Sequence, residues 1–383
     1  MVETSIVHDI PAGVPATHVF LIGISDYPHL DKGSGTPTAW DFGLGQLSSP
    51  TASARRLAEW FINEFDCPRK PLATVSLVLS EPGAGAAQFT NPKTATTYAV
   101  PRGTKIQTRN ALIAALAKSG PDDQLIFYFS GHGLSAGLND FYLLRDFGED
   151  PNGPLDAMIN YVQLMASMKA QLPSQQFFVF DGCRETVEQV EANPNGGSSL
   201  LTADPQVRLG LQAPLQCSLK STERDALAYG KKGAPSVCAQ AFERALRGAA
   251  GKRSTSGWNI TSARICEAMA DFQTLGFGPN AKIQQAPDLS AYKDFAVRGL
   301  PGPPQVPVFM RRKDGGSLQG AAVTCRSKGA VVHSEPSVKE IYWEGALSIG
   351  EHDFEVVLAG GNHCQPVTDA VSPTHLPIDV EVA

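Results

Sequence analysis

Two residues in this chain have side chains suited to nucleophilic catalysis, and each comes shortly after a continuous apolar run. His132 follows the largely apolar run DQLIFYF, residues 123–129, and Cys183 follows QFFVF, residues 176–180. A cysteine thiolate can attack a carbonyl carbon, and a nearby imidazole can carry the proton to the leaving amine. A lone cysteine at a strand end is more often a small buried hydrophobe, and a lone histidine between glycines is more often a turn residue. Their occurrence together at the ends of two predicted strands favours a catalytic pair.

Glycines surround the histidine of this pair. Gly131 and Gly133 flank His132 and permit a tight backbone turn, because glycine lacks the Cβ that restricts other residues. We expect the backbone N–H groups of Gly133 and Cys183 to donate hydrogen bonds to the oxyanion that forms when a thiolate attacks a carbonyl. The sequence therefore predicts a nucleophile, a base and the donors that stabilise their reaction intermediate.

The elements that position these residues alternate between strands and helices. Solid apolar runs are typical of strands buried on both faces, whereas apolar residues spaced by three and four indicate helices. The predicted strands comprise residues 18–25, 74–80, 123–129, 176–180 and 213–219. The predicted helices start at Ser49 and Thr108 and cover residues 161–172 and 237–246. This order predicts an α/β domain with a mostly parallel sheet flanked by helices, and the carboxyl ends of parallel strands form the crevice where ligands bind.

The composition changes near residue 300. The segment LPGPPQVP is typical of a semi-rigid linker, and the short alternating runs after it lack a helical period. We therefore predict that residues 1–300 form the α/β domain and that residues 301–383 form a small β-sandwich-like module. His363 and Cys364 lie in this module, and we interpret both as structural.

Composition and charge limit the class of protein. Of the 383 residues, 42% are hydrophobic, which is enough for a sizeable core, and the net charge is −6. We find no basic stripe in the sequence of the kind that phosphate binding needs, so no nucleic-acid partner is expected. Seven scattered cysteines without a C-x-x-C pair argue against a disulfide framework. We find neither a signal peptide nor an apolar stretch of membrane length, and we expect a cytoplasmic protein with no membrane contact.

The residues around His132 and Cys183 resemble the motifs of one protein family. IFYFSGHG is similar to the histidine motif, and FFVFDGCRE to the cysteine motif, of caspase-like cysteine proteases (clan CD, peptidase family C14). The histidine precedes the cysteine by roughly 50 residues, as it does in caspases. The Asp two residues before the cysteine resembles the metacaspase and bacterial orthocaspase branch. Weaker similarities in FLIGISDY, GWNITSARICEAM and QQAPDL extend the resemblance over residues 16–299.

The resemblance implies a fold and an activity. The family has a mostly parallel six-stranded sheet flanked by helices, and its members are endopeptidases. The resemblance assigns His132 as general base and acid and Cys183 as nucleophile, with a protein substrate and no cofactor. One departure concerns the cysteine motif, because Arg184-Glu185-Thr186 follows Cys183 where metacaspases usually have His-Ser-Gly.

An acidic loop is the one candidate for a metal site. Some metacaspases need calcium held by several Asp residues, and oxygen ligands suit such a hard cation. Four acidic residues crowd the loop DFGEDPNGPLD, namely Asp146, Glu149, Asp150 and Asp156. Their spacing does not match an EF-hand and is more typical of a solvated surface loop, so we predict no metal.

Three polar residues are expected to bind the substrate. Asp181 lies two residues before Cys183, so strand alternation puts both side chains on one side, and Ser130 stands in the same relation to His132. In the metacaspase branch the matching Asp and Ser line a pocket for a basic side chain, and Asp26 is a looser match. The resemblance thus implies cleavage after Arg in preference to Lys. The alternative for Asp181 is a cap on the turn that follows it.

The connector after the cysteine motif suggests a zymogen. Residues 184–212 include NPNGGSSL, a composition typical of exposed, cleavable chain, and caspase relatives often cut themselves in this region. We predict self-cleavage at Arg208, with Lys231 and Lys232 as a second choice. Family association implies a role in a bacterial stress, cell-death or antiphage pathway, with an activating protein partner as one expectation.

Two other functions stay open at this point. The chain can be a catalytically silent caspase-like scaffold that binds a partner protein through its β module, although the presence of both His132 and Cys183 counts against this. A relative with the same dyad can also catalyse transpeptidation or ester hydrolysis. Turnover of peptide substrates by the wild type, compared with Cys183→Ala, discriminates the enzyme from the scaffold.

Overall fold

The computed structural model describes residues 3–11, 15–83, 85–137, 139–192, 196–224, 228, 230–275, 285, 287–291 and 293–383. The chain divides into two compact units. The first comprises residues 1–243 and 272–297, and the second comprises residues 244–271 and 298–383. The division into domains 1–300 and 301–383 stays a prediction, which limited proteolysis can test. Within the described residues, no helix is long and apolar enough to cross a membrane.

Strands outnumber helices in the described part of the chain. The first strands are β1 (Ile6–Asp9), β2 (Thr17–Ile24), β3 (Leu72–Ser80), β4 (Ala87–Thr90), β5 (Thr97–Val100), β6 (Gln124–Ser130), β7 (Gly133–Ala136), β8 (Asn139–Leu143), β9 (Met158–Asn160), β10 (Gln175–Asp181), β11 (Glu185–Thr186) and β12 (Leu215–Lys220). The later strands are β13 (Gly251–Ser254), β14 (Gly257–Thr261), β15 (Asp288–Ala291), β16 (Ala296–Leu300), β17 (Gln305–Arg312), β18 (Ala322–Ser327), β19 (Ala330–Glu335), β20 (Trp343–Ser348), β21 (Gly350–Val357), β22 (Val367–Val371) and β23 (Leu376–Val380). The helices are α1 (Ser49–Glu64), α2 (Lys105–Leu116), α3 (Tyr161–Met168), α4 (Glu188–Glu191), α5 (Val237–Arg244) and α6 (Ser262–Leu275).

A mostly parallel sheet forms the centre of the first unit. In the described part of the chain it has seven strands, in the order β1-β3-β2-β6-β10-β12-β15. The five inner strands pair in parallel, and the edge strands β1 and β15 pair antiparallel. Every residue of β2 and β6 is buried, which explains why these strands appear in the sequence as solid apolar runs. The predicted α/β fold is confirmed, with two antiparallel edges that the sequence did not indicate.

A smaller sheet continues from the ends of the central strands. Its order among the described residues is β11-β7-β8-β9, and β7 and β11 start shortly after β6 and β10 end. The chain segments that leave β6 and β10 are therefore each held by strand pairing on both sides. These two segments carry His132 and Cys183.

The start of α2 differs from the sequence-based prediction. We expected the helix to begin near Thr108, but it begins at Lys105. The reason is a capping box: the Thr104 hydroxyl accepts a hydrogen bond from the Gln107 backbone N–H, and the Gln107 side chain reaches back to the Thr104 backbone. The apolar periodicity shows only the buried part of this helix and misses its polar first turn.

The second unit contains a β-rich module after residue 300, as predicted. Its strands form one sheet in the order β20-β17-β23 and another in the order β19-β18-β21-β22 within the described residues. The two sheets share a single apolar core. Residues that contribute to this core include Val308, Val323, Trp343, Phe354 and Ile378. Of the residues that the sequence analysis singled out here, Cys364 is buried in the core and His363 lies in an isolated backbone bridge with Val357.

Candidate active site

Strand register places the His132 and Cys183 turns side by side. Strands β6 and β10 pair in parallel up to Ser130 opposite Asp181, residues that are 51 positions apart in the chain. Strands β7 and β11 then pair in parallel with the same offset. His132 and Cys183 are separated by this offset too and lie between the two paired regions. The sequence spacing between the two residues is therefore the register of two neighbouring strands.

Glycine is required where the two turns touch. A Cβ atom on Gly133 would lie 2.4 Å from the Cys183 carbonyl oxygen, and a Cβ on Gly182 would lie 2.8 Å from the Gly131 carbonyl oxygen. Real Cβ atoms do not approach other atoms this closely, so no larger residue fits without moving the backbone. The turns are packed backbone against backbone, which brings the predicted oxyanion donors Gly133 and Cys183 next to each other.

His132 is a buried, neutral base with a defined proton position. Its side chain Nε2 lies 2.7 Å from the Gly45 carbonyl oxygen, and its backbone N–H donates to the Tyr27 hydroxyl at 2.9 Å. A carbonyl oxygen only accepts, so Nε2 carries the hydrogen and Nδ1 keeps its lone pair in the neutral ring. Burial lowers the pKa of His132 to about 4, although the Gly45 hydrogen bond opposes this shift. At neutral pH, Nδ1 can therefore accept a proton.

Cys183 is a half-buried free thiol. Its Sγ accepts a hydrogen bond from the backbone N–H of Ala228 at 3.3 Å. Burial raises the pKa of the thiol, and the Ala228 N–H partly counteracts this effect. Among the described residues, no hydrogen bond joins Sγ to the His132 ring. The directions of these two pKa shifts favour a neutral thiol on Cys183 and a neutral imidazole on His132 at neutral pH.

Asp181 and Ser130 are joined by a direct hydrogen bond. The buried Asp181 carboxylate accepts hydrogen bonds from the Tyr128 hydroxyl at 2.6 Å, the Ser130 hydroxyl at 3.1 Å and the Ser236 hydroxyl. Burial raises the pKa of Asp181, and the hydroxyl donors counteract the shift. All three hydroxyls donate to the same carboxylate oxygen, so any cation that binds there competes with donors from the chain itself.

Asp26 has a different set of partners. Its carboxylate lies 3.1 Å from the Arg145 guanidinium and 3.5 Å from that of Arg102. The side chains of all three residues are mostly buried. No sequence pattern pointed to these arginines, because they lie far from Asp26 along the chain. Of the three predicted pocket residues, Ser130 and Asp181 are in contact with each other, and Asp26 belongs to an ion-pair cluster of its own.

Arg184, the residue that follows Cys183, is part of an ionic network. Its guanidinium pairs with Asp140 at 3.2 Å and with Asp288 at 2.6 Å. Lys220 also pairs with Asp140, and its ammonium lies 4.0 Å from the centre of the Tyr161 ring. Two cations and two carboxylates balance each other here, which makes the burial of Arg184, Asp140 and Lys220 tolerable, whereas Asp288 is partly exposed. The network ties the segment after Cys183 to β8, β12 and β15.

Arg208, the predicted cleavage residue, lies in a short helical turn. This residue ends a 3₁₀ turn, Pro205–Arg208, and its guanidinium donates to the carbonyl oxygens of Gln171, at 2.8 Å, Leu172 and Gln212. Residues 193–195 of the connector lie outside the described residues. Lys231 and Lys232 are both exposed in a turn. Cleavage after Arg208 would require its side chain to leave these carbonyl groups.

One residue of the acidic loop, Asp146, caps the start of α2. The Asp146 carboxylate accepts the backbone N–H of Lys105 at 2.9 Å at the start of α2. Burial raises the pKa of Asp146, and this hydrogen bond opposes the shift. Within the part of the chain that the structure describes, no group of three or more His, Cys, Asp or Glu side chains could hold a metal ion.

Sequence reasoning missed residues that contact His132, namely Tyr27 and Gly45. Tyr27 touches His132 with both its hydroxyl and its ring, whose centre is 4.9 Å from that of the imidazole. Its position directly after Asp26 at the end of β2 was a usable signal, since neighbouring parallel strands end at the same edge. Gly45 contributes only a backbone carbonyl, which has no residue-type signature.

The sequence also matches known proteins. The family model for the caspase domain matches residues 17–291. An uncharacterized protein, y4kE, of Sinorhizobium fredii (strain NBRC 101917 / NGR234) is 26% identical over 243 residues, which is 60% of this chain and 65% of that protein, less than two thirds of its length.

Two solved structures were also matched. Protein GSU0716 from Geobacter sulfurreducens is 13% identical with a TM-score of 0.42, and covers 76% of this chain and 96% of its own. Caspase-1 from Spodoptera frugiperda is 11% identical with a TM-score of 0.41, and the match covers 74% of this chain and 92% of that structure. The family model spans well over half of the sequence, including both candidate catalytic residues. The chain belongs to the caspase-domain family.

Proposed function

We propose that the protein is a cysteine endopeptidase in which Cys183 is the nucleophile and His132 is the general base and acid. The observation that carries this proposal is the strand register, which sets the two residues in adjacent turns of a caspase domain. The buried ring of His132, protonated on Nε2 by its contact with Gly45, leaves Nδ1 as the proton acceptor.

The proposed reaction begins with both groups neutral. The Nδ1 atom of His132 takes the thiol proton while Sγ of Cys183 forms a bond to the carbonyl carbon of the scissile peptide. The carbonyl oxygen gains negative charge and is stabilised by the N–H groups of Gly133 and Cys183. The imidazolium then gives its proton to the leaving amine, and the C–N bond breaks to leave a thioester. Water then attacks the thioester carbonyl carbon while His132 takes one of its protons. The C–S bond breaks, the acid product leaves, and the imidazolium returns the proton to Sγ, which restores the neutral thiol and imidazole.

The raised pKa of Cys183 and the lowered pKa of His132 support this order of steps. Because burial disfavours both charged forms, a stable thiolate–imidazolium pair is not favoured before substrate arrives. Proton transfer coupled to attack avoids that pair in the resting enzyme. The developing charges are then stabilised only in the transition state, where the oxyanion donors act.

We further propose that the substrate is cut after Arg, and less efficiently after Lys. The support for this specificity is a carboxylate and a hydroxyl, Asp181 and Ser130, that lie two residues before the two catalytic candidates and touch each other. A guanidinium can share a carboxylate bidentately. Asp26 contributes less than Asp181 in this proposal, because Arg102 and Arg145 already compensate its charge.

The biological proposal rests on family membership. The protease acts on a protein substrate in the cytoplasm of a bacterium, in a stress, cell-death or antiphage pathway resembling that of metacaspases, and an activating protein partner triggers it. Self-cleavage after Arg208 matures the chain. Intact-mass measurement of wild type and Arg208→Ala after prolonged incubation tests the last point. An uncut wild-type chain that hydrolyses peptides would show that cleavage is not required.

The activity is tested with a mixed library of fluorogenic peptides. We expect turnover by the wild type and by Cys266→Ala, a matched control because Cys266 is the other half-buried cysteine among the described residues. Cys183→Ala and His132→Ala should lose activity by several orders of magnitude. Equal turnover by Cys183→Ala and the wild type would refute the proposal. No turnover by the wild type under any activator would favour the scaffold alternative.

A further inference from the structure

The loop between β2 and α1, residues 25–48, contacts the Nε2 atom of His132 through one backbone carbonyl. The Gly45 oxygen lies 2.7 Å from Nε2 of the ring. This contact decides which nitrogen carries the proton, because the carbonyl cannot donate. Its strength therefore depends on how firmly the loop holds Gly45 in place. Glycine itself has no side chain with which to fix that position.

The neighbouring residue, Gln46, fixes the loop with three hydrogen bonds. Its side-chain Oε1 accepts the backbone N–H of Tyr27 at 2.8 Å. Its side-chain Nε2 donates to the carbonyl oxygens of Tyr27 at 2.9 Å and of Asp31 at 3.0 Å. Both amide hydrogens and one acceptor position are thus used on backbone groups. The side chain pairs with Tyr27 much as a neighbouring strand would.

Tyr27 is itself bound to His132. Its hydroxyl accepts the backbone N–H of His132 at 2.9 Å and donates to the Leu143 carbonyl oxygen at 3.4 Å, and its ring lies against the imidazole. The contacts therefore form a closed circuit: Gln46 binds Tyr27, Tyr27 binds the His132 backbone, and the His132 ring binds Gly45, which precedes Gln46. The circuit thus joins both the backbone and the ring of His132 to the same loop, at Tyr27 and at Gly45.

We infer that Gln46 is a positioning residue for His132, whose amide keeps the Gly45 carbonyl on Nε2 and so holds the ring in the tautomer with Nδ1 free. This inference rests on the proposed function for its catalytic consequence, but its structural part concerns only the ring and the loop. Gln46 does not contact the reacting atoms, and it acts on His132 through Gly45 and Tyr27.

The loop has other supports, so removing the amide should loosen it without unfolding it. The backbone N–H of Leu47 donates to the Ser25 carbonyl oxygen at 3.0 Å, and that of Asp31 donates to the Leu44 carbonyl oxygen at 3.2 Å. These bonds lie on either side of Gly45 and do not involve the Gln46 side chain. Gln46→Met keeps the length of the side chain and removes all three hydrogen bonds. Gln46→Glu keeps an acceptor for the Tyr27 N–H and removes the donors.

The test is nuclear magnetic resonance of isotopically labelled histidine nitrogens at neutral pH, with the His132 signals identified by their loss in His132→Gln. We expect a single Nε2–H tautomer in the wild type and a tautomer mixture in Gln46→Met, with Gln46→Glu between them. Gln88→Met is the matched control, since Gln88 is exposed on β4, and it should leave the wild-type tautomer unchanged. Should Gln46→Met fail to fold, Gln46→Glu carries the comparison.

Peptide kinetics provide the second readout. Gln46→Met should lower kcat by roughly 10- to 100-fold, the range expected for misplacement of a catalytic group, with KM little changed. An unchanged tautomer together with an unchanged kcat would overturn the inference. If the wild type cleaves no peptide but Gln46→Met still shifts the tautomer, the positioning role is supported and the proposed peptidase function is rejected instead.

Discussion

Replacing Gly133 with alanine tests how closely the two catalytic turns approach each other. The new Cβ would lie 2.4 Å from the Cys183 carbonyl oxygen and 3.2 Å from the Tyr142 ring. Since real Cβ atoms essentially never come closer than 3.0 Å to such an atom, the turns must separate by at least about 0.6 Å. A misplacement of about 1 Å can lower a catalytic rate roughly 100-fold. We therefore expect kcat to fall by about 10- to 100-fold.

Stability should fall as well, because overpacking of a tight contact typically costs about 1–3 kcal/mol. The assays are peptide hydrolysis and urea unfolding of Gly133→Ala. Gly302→Ala is the control, since a Cβ at Gly302 meets no atom within 4 Å, and both properties should match the wild type. Wild-type kcat and stability in Gly133→Ala would refute the close approach of the turns, and with it the argument that register brings His132 to Cys183.

Three further predictions concern charged groups and their burial. Burial lowers the pKa of His132 from 6.5 to about 4, so the unfolded state binds the proton of this residue more tightly than the folded state does. The free energy of unfolding should therefore fall by about 3 kcal/mol as the pH is lowered from 6.5 to 4. His132→Gln should not show this loss, and the same pH dependence of unfolding in both proteins would contradict the prediction. Asp140→Asn should lower the free energy of unfolding, measured in urea, by about 3–5 kcal/mol, because Arg184 and Lys220 then lose the carboxylate that they share. The control is Asp122→Asn at an exposed position, which should change this free energy little. Equal changes in the two variants would count against the network. The third assay uses peptides that differ in the residue before the cleaved bond. Asp181→Asn should lower kcat/KM for peptides with Arg at this position at least about 10-fold more than for peptides with a neutral residue there. Efficient cleavage after Asp by the wild type would reject the basic-residue pocket.

Much of the fold was predictable because the central strands are buried on both faces. The apolar runs of β2, β6 and β10 are visible in the sequence for that reason, and each ends at a polar motif that marks the sheet edge. The spacing of His132 and Cys183 equals the strand register, so the sequence placed these two residues in adjacent turns correctly, and their catalytic roles stay a prediction. The same two motifs resemble those of caspase-like proteases, and the match to the caspase-domain family model confirms this resemblance.

The remainder of the site was not predictable, because its contacts join residues that are distant in the chain or use backbone atoms. Asp26 meets Arg102 and Arg145 only after the strands and loops fold together. Gly45 acts through a carbonyl oxygen, which every residue has. The neutral resting state of Cys183 depends on burial, and burial at a strand end is not encoded in the local sequence. These contacts and this burial can be identified only from the three-dimensional structure.

The most direct test of the central claim is covalent trapping with a peptidyl-arginine acyloxymethyl ketone, followed by intact-mass measurement and peptide mapping. The account predicts one adduct per chain, located on Cys183, formed by the wild type and by Cys266→Ala and strongly slowed in His132→Ala, because the thiol needs the imidazole to lose its proton. An adduct on another cysteine, or the same rate of labelling at Cys183 in His132→Ala, would contradict the assignment of His132 and Cys183 as a catalytic pair.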